Sequence, residues 1–215
     1  MSVLSALIHA AAAHRLAVSG VAAVVPEDGL TPGIRSVVLL SPDEPAFWPH
    51  FVTQPENRDG NANPLDRWSR RVIGGMACNL GAKAWFPFGG PPWRPFAQWA
   101  LRSGQVWPSP VGLLVDAARG LFVSWRGAVG LTEALPLQPA ARPCDTCAAP
   151  CLTACPVDAF AGGRYDVAAC RAHLDSAAGA ECLQGGCLVR RSCPVGAGRR
   201  PAAQSAFHMA AFHPT

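Results

Sequence analysis

The apolar positions of the first 140 residues alternate between two rhythms. Residues 17–25 (AVSGVAAVV) and 34–41 (IRSVVLLS) are short β-branched runs bounded by Pro and Gly, and they read as buried strands. Residues 3–16, about 43–53 and Pro64–Leu80 read as helices. In the last of these, Leu65, Trp68, Val72 and Met76 recur at spacings of three and four and define one apolar face. KAWFPF reads as a short strand before a Gly-Pro break and PWRPFAQWALRSG as a helix. VGLLVDAARGLFVSWRGAVGL reads as a hairpin-like pair of strands turning at Ala118–Gly120. The pattern predicts an α+β layer structure. QPAARP, residues 138–143, marks the expected boundary between an α+β domain over 1–140 and a cysteine-rich domain over 141–215.

Eight of the nine cysteines lie in that last third. Cys144, Cys147, Cys151 and Cys155 form C-x2-C-x3-C-x3-C-P, and Cys170, Cys182, Cys187 and Cys193 follow as C-x11-C-x4-C-x5-C-P. A 4Fe-4S cubane needs four thiolates converging from different directions, and spacers of two or three residues let one loop supply three of them. In the bacterial run that ends in Cys-Pro, the fourth cysteine ligates the other of two clusters. The spacing therefore predicts one set of Cys144, Cys147, Cys151 and Cys193, and a second of Cys155, Cys170, Cys182 and Cys187. TACPVDAF should open as a short helix, with Pro156 in its first turn. Two departures from the standard run stand out: a three-residue gap before Cys151, and the spread of the second set.

Other thiol chemistries fit less well. An odd cysteine count and a first two thirds almost without cysteine do not suit a disulfide-stapled secreted fold. Structural zinc also uses paired C-x-x-C hooks, but a zinc ribbon separates them by a dozen or more residues, whereas here four cysteines fall within twelve positions.

Composition narrows the setting. No apolar stretch reaches the roughly 18 uninterrupted residues of a membrane span. The apolar N-terminus lacks a positive leading region, and His9, His14 and Arg15 interrupt it, so it reads as a helix of the fold rather than an export signal. The expected location is cytoplasmic, with no membrane partner. The formal charge of +4 counts every cysteine as neutral, and two clusters at about −2 each would cancel it, leaving no charge argument for nucleic acid. Arg190-Arg191 and Arg199-Arg200 flank the last cysteines, where positive charge would offset a cluster.

Among the remaining residues, Cys78 reads as a small buried hydrophobe on its helix. The aromatics from Trp85 to Trp99 read as core, or alternatively as an apolar wall for a flat cofactor. His173 lies one turn beyond Cys170 and is expected to hydrogen-bond locally. His208 and His213 belong to a closing helix over the cysteine-rich part.

CDTCAAPCLTACPVDAF, then YDVAACRAHL, then Cys193-Pro194 resembles the ferredoxin module of epoxyqueuosine reductases and reductive dehalogenases, which carry two 4Fe-4S clusters beside a corrinoid. PPWRPFAQWALRSGQVWPSPVGLLVDAARGLFVSWRGAVGL is similar to the core of the cobalamin-processing, decyanating family, whose fold is related to the flavin nitroreductases. Together the two stretches, residues 91–131 and 144–194, span a little under half of the chain. The resemblance implies a nitroreductase-like or cobalamin-processing-like α+β layer followed by a ferredoxin-like two-cluster module. It also implies two 4Fe-4S clusters, with cobalamin or flavin mononucleotide as a further cofactor. The epoxyqueuosine family's catalytic acid has no match on any residue here, and its helical-repeat tail is missing.

Three functions are consistent with these residues. One is a reductase whose clusters feed a corrinoid or flavin in residues 1–140, with a ferredoxin- or flavodoxin-type donor. The second is a plain electron carrier to a partner enzyme, and the third a structural metal-binding interaction module.

Overall fold

The computed structural model describes residues 2–214 and is a mixed α+β structure. It divides into two compact units: residues 1–105 with 124–140, and residues 106–123 with 141–215.

The first unit is built on α1 (Val3–Ala13), β1 (Leu16–Ala23), β2 (Ser36–Pro42), α2 (Phe47–Val52), α3 (Pro55–Arg58), α4 (Pro64–Asn79), β3 (Lys83–Trp85) and α5 (Phe96–Arg102). The chain then leaves for the second unit, forming β4 (Val106–Pro108) and β5 (Leu114–Asp116), and returns as β6 (Gly127–Leu131). Four strands pair antiparallel in the order β1-β2-β6-β3.

Every residue of β2 is buried, which explains why its sequence is apolar without alternation. Both faces of the sheet are covered. Gly20, Leu39 and Ala128 are cross-strand neighbours on one face, where Gly20 meets Ser103 at the end of α5. Leu40 and Gly127 lie on the other, where Gly127 meets Ile73 of α4. A Cβ on Gly130 would fall 2.3 Å from the Trp85 ring, so glycine there lets the indole lie across β6. Trp68 on α4 is fully buried among Phe47 and Phe51, with ring centroids 5.3 Å and 6.0 Å away. Packing of this kind holds α2 on α4.

Three expectations for this unit change. The helix expected over 3–16 stops at Ala13, because Arg15 turns left-handed (φ 55) to start β1. Cys78 is exposed rather than buried. The face of α4 that carries Leu65, Trp68, Val72 and Met76 turns Arg71 and Cys78 outward. The Trp85–Trp99 aromatics form no continuous wall, since Trp85, Phe96 and Trp99 enter the core while Trp93 is 67% exposed.

The second unit begins with the hairpin. β4 and β5 pair with each other, so the expected pairing across Ala118–Gly120 does not form a two-stranded ribbon. The turn itself is present: the Asp116 carboxylate accepts from the amides of Ala118 and Arg119, and Gly120 (φ 58) bridges back to Asp116. Beyond it the chain runs off to the four-stranded sheet. The break at 140/141 coincides with the expected boundary, but residues 106–123 belong with the cysteine-rich part.

The rest of the unit is short turns and α6 (Val167–Leu174), α7 (Ala180–Gly185), α8 (Leu188–Arg191) and α9 (Ala202–Phe212). Val111, Val115 and Leu121 of the hairpin segment form one buried cluster with Cys151 and Val189. The closing helix α9 packs on α7, and His213 pairs with Asp175 at 2.8 Å. No described helix is long and apolar enough to cross a membrane.

Candidate metal centre

The first loop is wound from tight turns. Residues 143–146 form a 3-10 turn closed by the Cys147 amide on the Cys144 carbonyl, and Ala149 (φ 53) reverses the chain before a second turn at Pro150–Leu152. These reversals bring Cys144, Cys147 and Cys151 to the wall of one concavity. Cys193, just past α8, lines the same space. The opposite wall comes from the hairpin segment: Ser109, Pro110, Val115 and Leu121. The Ala149 amide donates to the Cys147 sulfur at 3.3 Å.

Cys155 does not line this concavity. Its sulfur accepts the Ala159 amide at 3.3 Å, and its carbonyl accepts from Asp158. This corrects the helix expected in TACPVDAF: an amide that would have continued a helix goes to sulfur instead, and Asp158 sits at φ 49. Cys170 comes from α6, Cys182 from α7, and Cys187 precedes α8.

Burial pushes the Cys144, Cys151, Cys170 and Cys182 thiols up from their ordinary values. The neighbours that add to the effect define two groups. Cys144 is raised further by Cys147 and Cys193, and Cys151 by Cys144, Cys193 and Cys147. Cys170 is raised further by Cys187 and Cys155, and Cys182 by Cys187 and Cys170. The structure thus brings together Cys144, Cys147, Cys151 and Cys193 in one place, and Cys155, Cys170, Cys182 and Cys187 in another.

No family model matches the chain, and neither a curated protein nor a solved structure matches it.

Around the second group, Tyr165 lies near Cys170, and its ring stacks on Phe160 at 4.6 Å with the planes 2° apart. Arg190 donates to the Leu121 carbonyl, and burial lowers its pKa against the pull of Cys187. Arg200 donates to the Phe122 carbonyl and lies 4.7 Å over its ring. His173 keeps its buried Nε2 without a hydrogen-bond partner among the described residues, contrary to the expected local bond.

Among the described residues, no three His, Cys, Asp or Glu side chains are drawn together tightly enough to hold one metal ion. A single tetrahedral zinc with bonds of about 2.3 Å demands sulfurs about 3.8 Å apart. A cubane spreads its four ligands over four irons and takes a wider set. The donor set suits such a group: four sulfurs in each set, backbone N–H groups on Cys147 and Cys155, and largely apolar surroundings.

Two contributors carry no cysteine and were missed in the sequence. Gly120 is one: a Cβ there would lie 2.8 Å from the Cys193 sulfur and 2.1 Å from the Val195 carbonyl oxygen. Ser109 is the other, and its one signal is the Ser-Pro-Val-Gly turn that holds it.

Proposed function

We propose that the second unit binds two 4Fe-4S clusters and passes single electrons between a donor and an acceptor. Cys144, Cys147, Cys151 and Cys193 hold one cluster, and Cys155, Cys170, Cys182 and Cys187 the other. The carrying observation is the exchange of partners between the two groups. Cys155 leaves the loop of its three sequence neighbours for the later cysteines, and Cys193 returns to that loop. Two clusters with exchanged Cys-Pro ligands require this crossing, and two independent zinc hooks have no need of it.

Each cluster supplies a site that gains and loses one electron with little rearrangement. The chain's part is to hold the sulfurs, donate N–H groups to them and limit water, which together set the potential. On this reading the second unit is a ferredoxin-like two-cluster module and the protein is cytoplasmic.

Anaerobically reconstituted protein should carry about eight iron and eight sulfide per chain, with broad visible absorption bleached by dithionite. Zinc at one or two equivalents without sulfide would refute the assignment. Cys78→Ser should leave the iron content unchanged.

The finer reading is that the acceptor is a corrinoid or flavin held by the first unit, taken there to be nitroreductase-like, in a reductase related to the epoxyqueuosine family. It rests on resemblance, since the Trp85–Trp99 segment gives it no wall. Titration with cob(II)alamin, and separately with flavin mononucleotide, tests it. If neither binds below about 100 μM, roughly 5.5 kcal/mol, the protein is a carrier to a separate enzyme.

A further inference from the structure

Ser109 opens a turn whose geometry is dictated locally. Pro110 occupies the second position, the Gly112 amide (φ 76) donates to the Ser109 carbonyl at 3.0 Å, and the Ser109 amide donates to the Leu113 carbonyl at 2.8 Å. The turn joins β4 to β5 and leaves the Ser109 side chain no freedom to move with its backbone. That side chain is 8% exposed and lines the concavity shared by Cys144, Cys147, Cys151 and Cys193. Its Oγ has no hydrogen-bond partner among the described residues. Leaving a buried hydroxyl unpaired is costly, so such a group calls for a partner close beside it. The other side chains around that space are apolar, among them Pro110, Val115, Leu121, Pro150 and Pro194, so the thiols are the acceptors that its side chains offer.

We infer that Ser109 is a positioning residue of the first cluster, donating its hydroxyl proton to a cluster or cysteine sulfur and so raising that cluster's reduction potential relative to a site without the bond. The inference rests on the two-cluster reading above. The sign follows from charge. A cluster with four thiolates carries about −2, and the electron supplied by the donor takes it to about −3. A donor hydrogen bond favours the more negative, reduced form.

The test is Ser109→Ala, with Ser109→Thr keeping a hydroxyl, in full-length reconstituted protein followed by potentiometric titration and EPR. In Ser109→Ala, iron should stay at about eight per chain. The reduced-to-oxidised ratio of one cluster at a fixed potential should fall by about tenfold, equivalent to about 59 mV for a one-electron couple, with the other cluster unmoved. Ser109→Thr should restore the wild-type value. An exchangeable proton coupled to that reduced cluster should be seen by ENDOR in wild type and be lost in Ser109→Ala. An unmoved potential with eight iron present overturns the Ser109 role while leaving the clusters standing. Loss of iron in Ser109→Ala alone, or equal movement of both clusters, also overturns it. Wild-type protein without iron and sulfide overturns the two-cluster reading instead.

Discussion

A cubane site depends on groups that never touch the metal, and Gly120 is the sharpest case. It takes φ 58 at the end of the Asp116 turn, and its missing Cβ is what lets the Cys193–Val195 backbone approach. Gly120→Ala should therefore push Cys193 off its place and cost the first cluster, roughly halving the iron content, while the EPR signal of the second survives. Gly60→Ala, whose Cβ would meet nothing within 4 Å, is the matched control at another left-handed position (φ 72). Equal iron in both variants would show that Cys193 does not depend on this contact. The grouping of the thiols by neighbour follows the order that the two Cys-Pro pairs suggest in the sequence. Gly120 and Ser109 were not legible there, since their importance comes from neighbours over 70 and over 30 residues away.

At the scale of elements, the junction of α1 with α2 carries a pH dependence. His14 caps α1 and His50 lies on α2, with ring centroids 6.1 Å apart; Trp68 of α4 is 6.3 Å from His50. Burial is the first cause lowering both pKa values below 6.5. The Arg71 guanidinium adds to it at both rings, and His14 and Arg15 add at His50. Arg71 is itself paired with Glu56. Both imidazoles are thus favoured neutral in the folded chain, and the unfolded chain binds more protons as the pH drops. Their contribution to stability is complete above pH 6.5 and is lost as pH falls through the lower folded values. Urea midpoints between pH 5 and 7.5 should decline toward acid, and a His14→Gln/His50→Gln variant should flatten that decline. An identical slope in the variant would assign it to other groups.

The same scale explains the misread elements. The period of α4 was correct, and extending it two residues past Met76 puts Cys78 on the outer face with Arg71. The hairpin failed for a different reason. Asp116 and Gly120 do make the turn, but β5 finds its partner upstream in β4, and β6 is claimed by β2 and β3. Local alternation cannot tell which of two candidate partners wins, because the decision is made by long-range packing.

For the whole molecule, charge is the quantity that metal loading changes. The chain without metal has a formal charge of +4 and a sequence pI near 8.7. Each place would give up four thiol protons and take in a 4Fe-4S core of about +2, a net change of about −2 per place. Reconstituted protein should focus well below pI 8.7 and elute earlier from a cation exchanger than the same chain stripped of metal. An unchanged focusing position would mean that the eight thiols do not bind as thiolates.

The excursion of residues 106–123 also sets an order of events during synthesis. The chain emerges from the ribosome N-terminus first, and compact units fold as they become complete. All four strands of the sheet are available once Leu131 is out, before Cys144, the first of the eight clustered cysteines, has emerged. The hairpin that carries Ser109 and Gly120 is already synthesised by then. The nascent chain thus exposes one wall of the proposed first metal site before any of its thiols emerges, and on the two-cluster reading that site cannot be filled until Cys193 has followed.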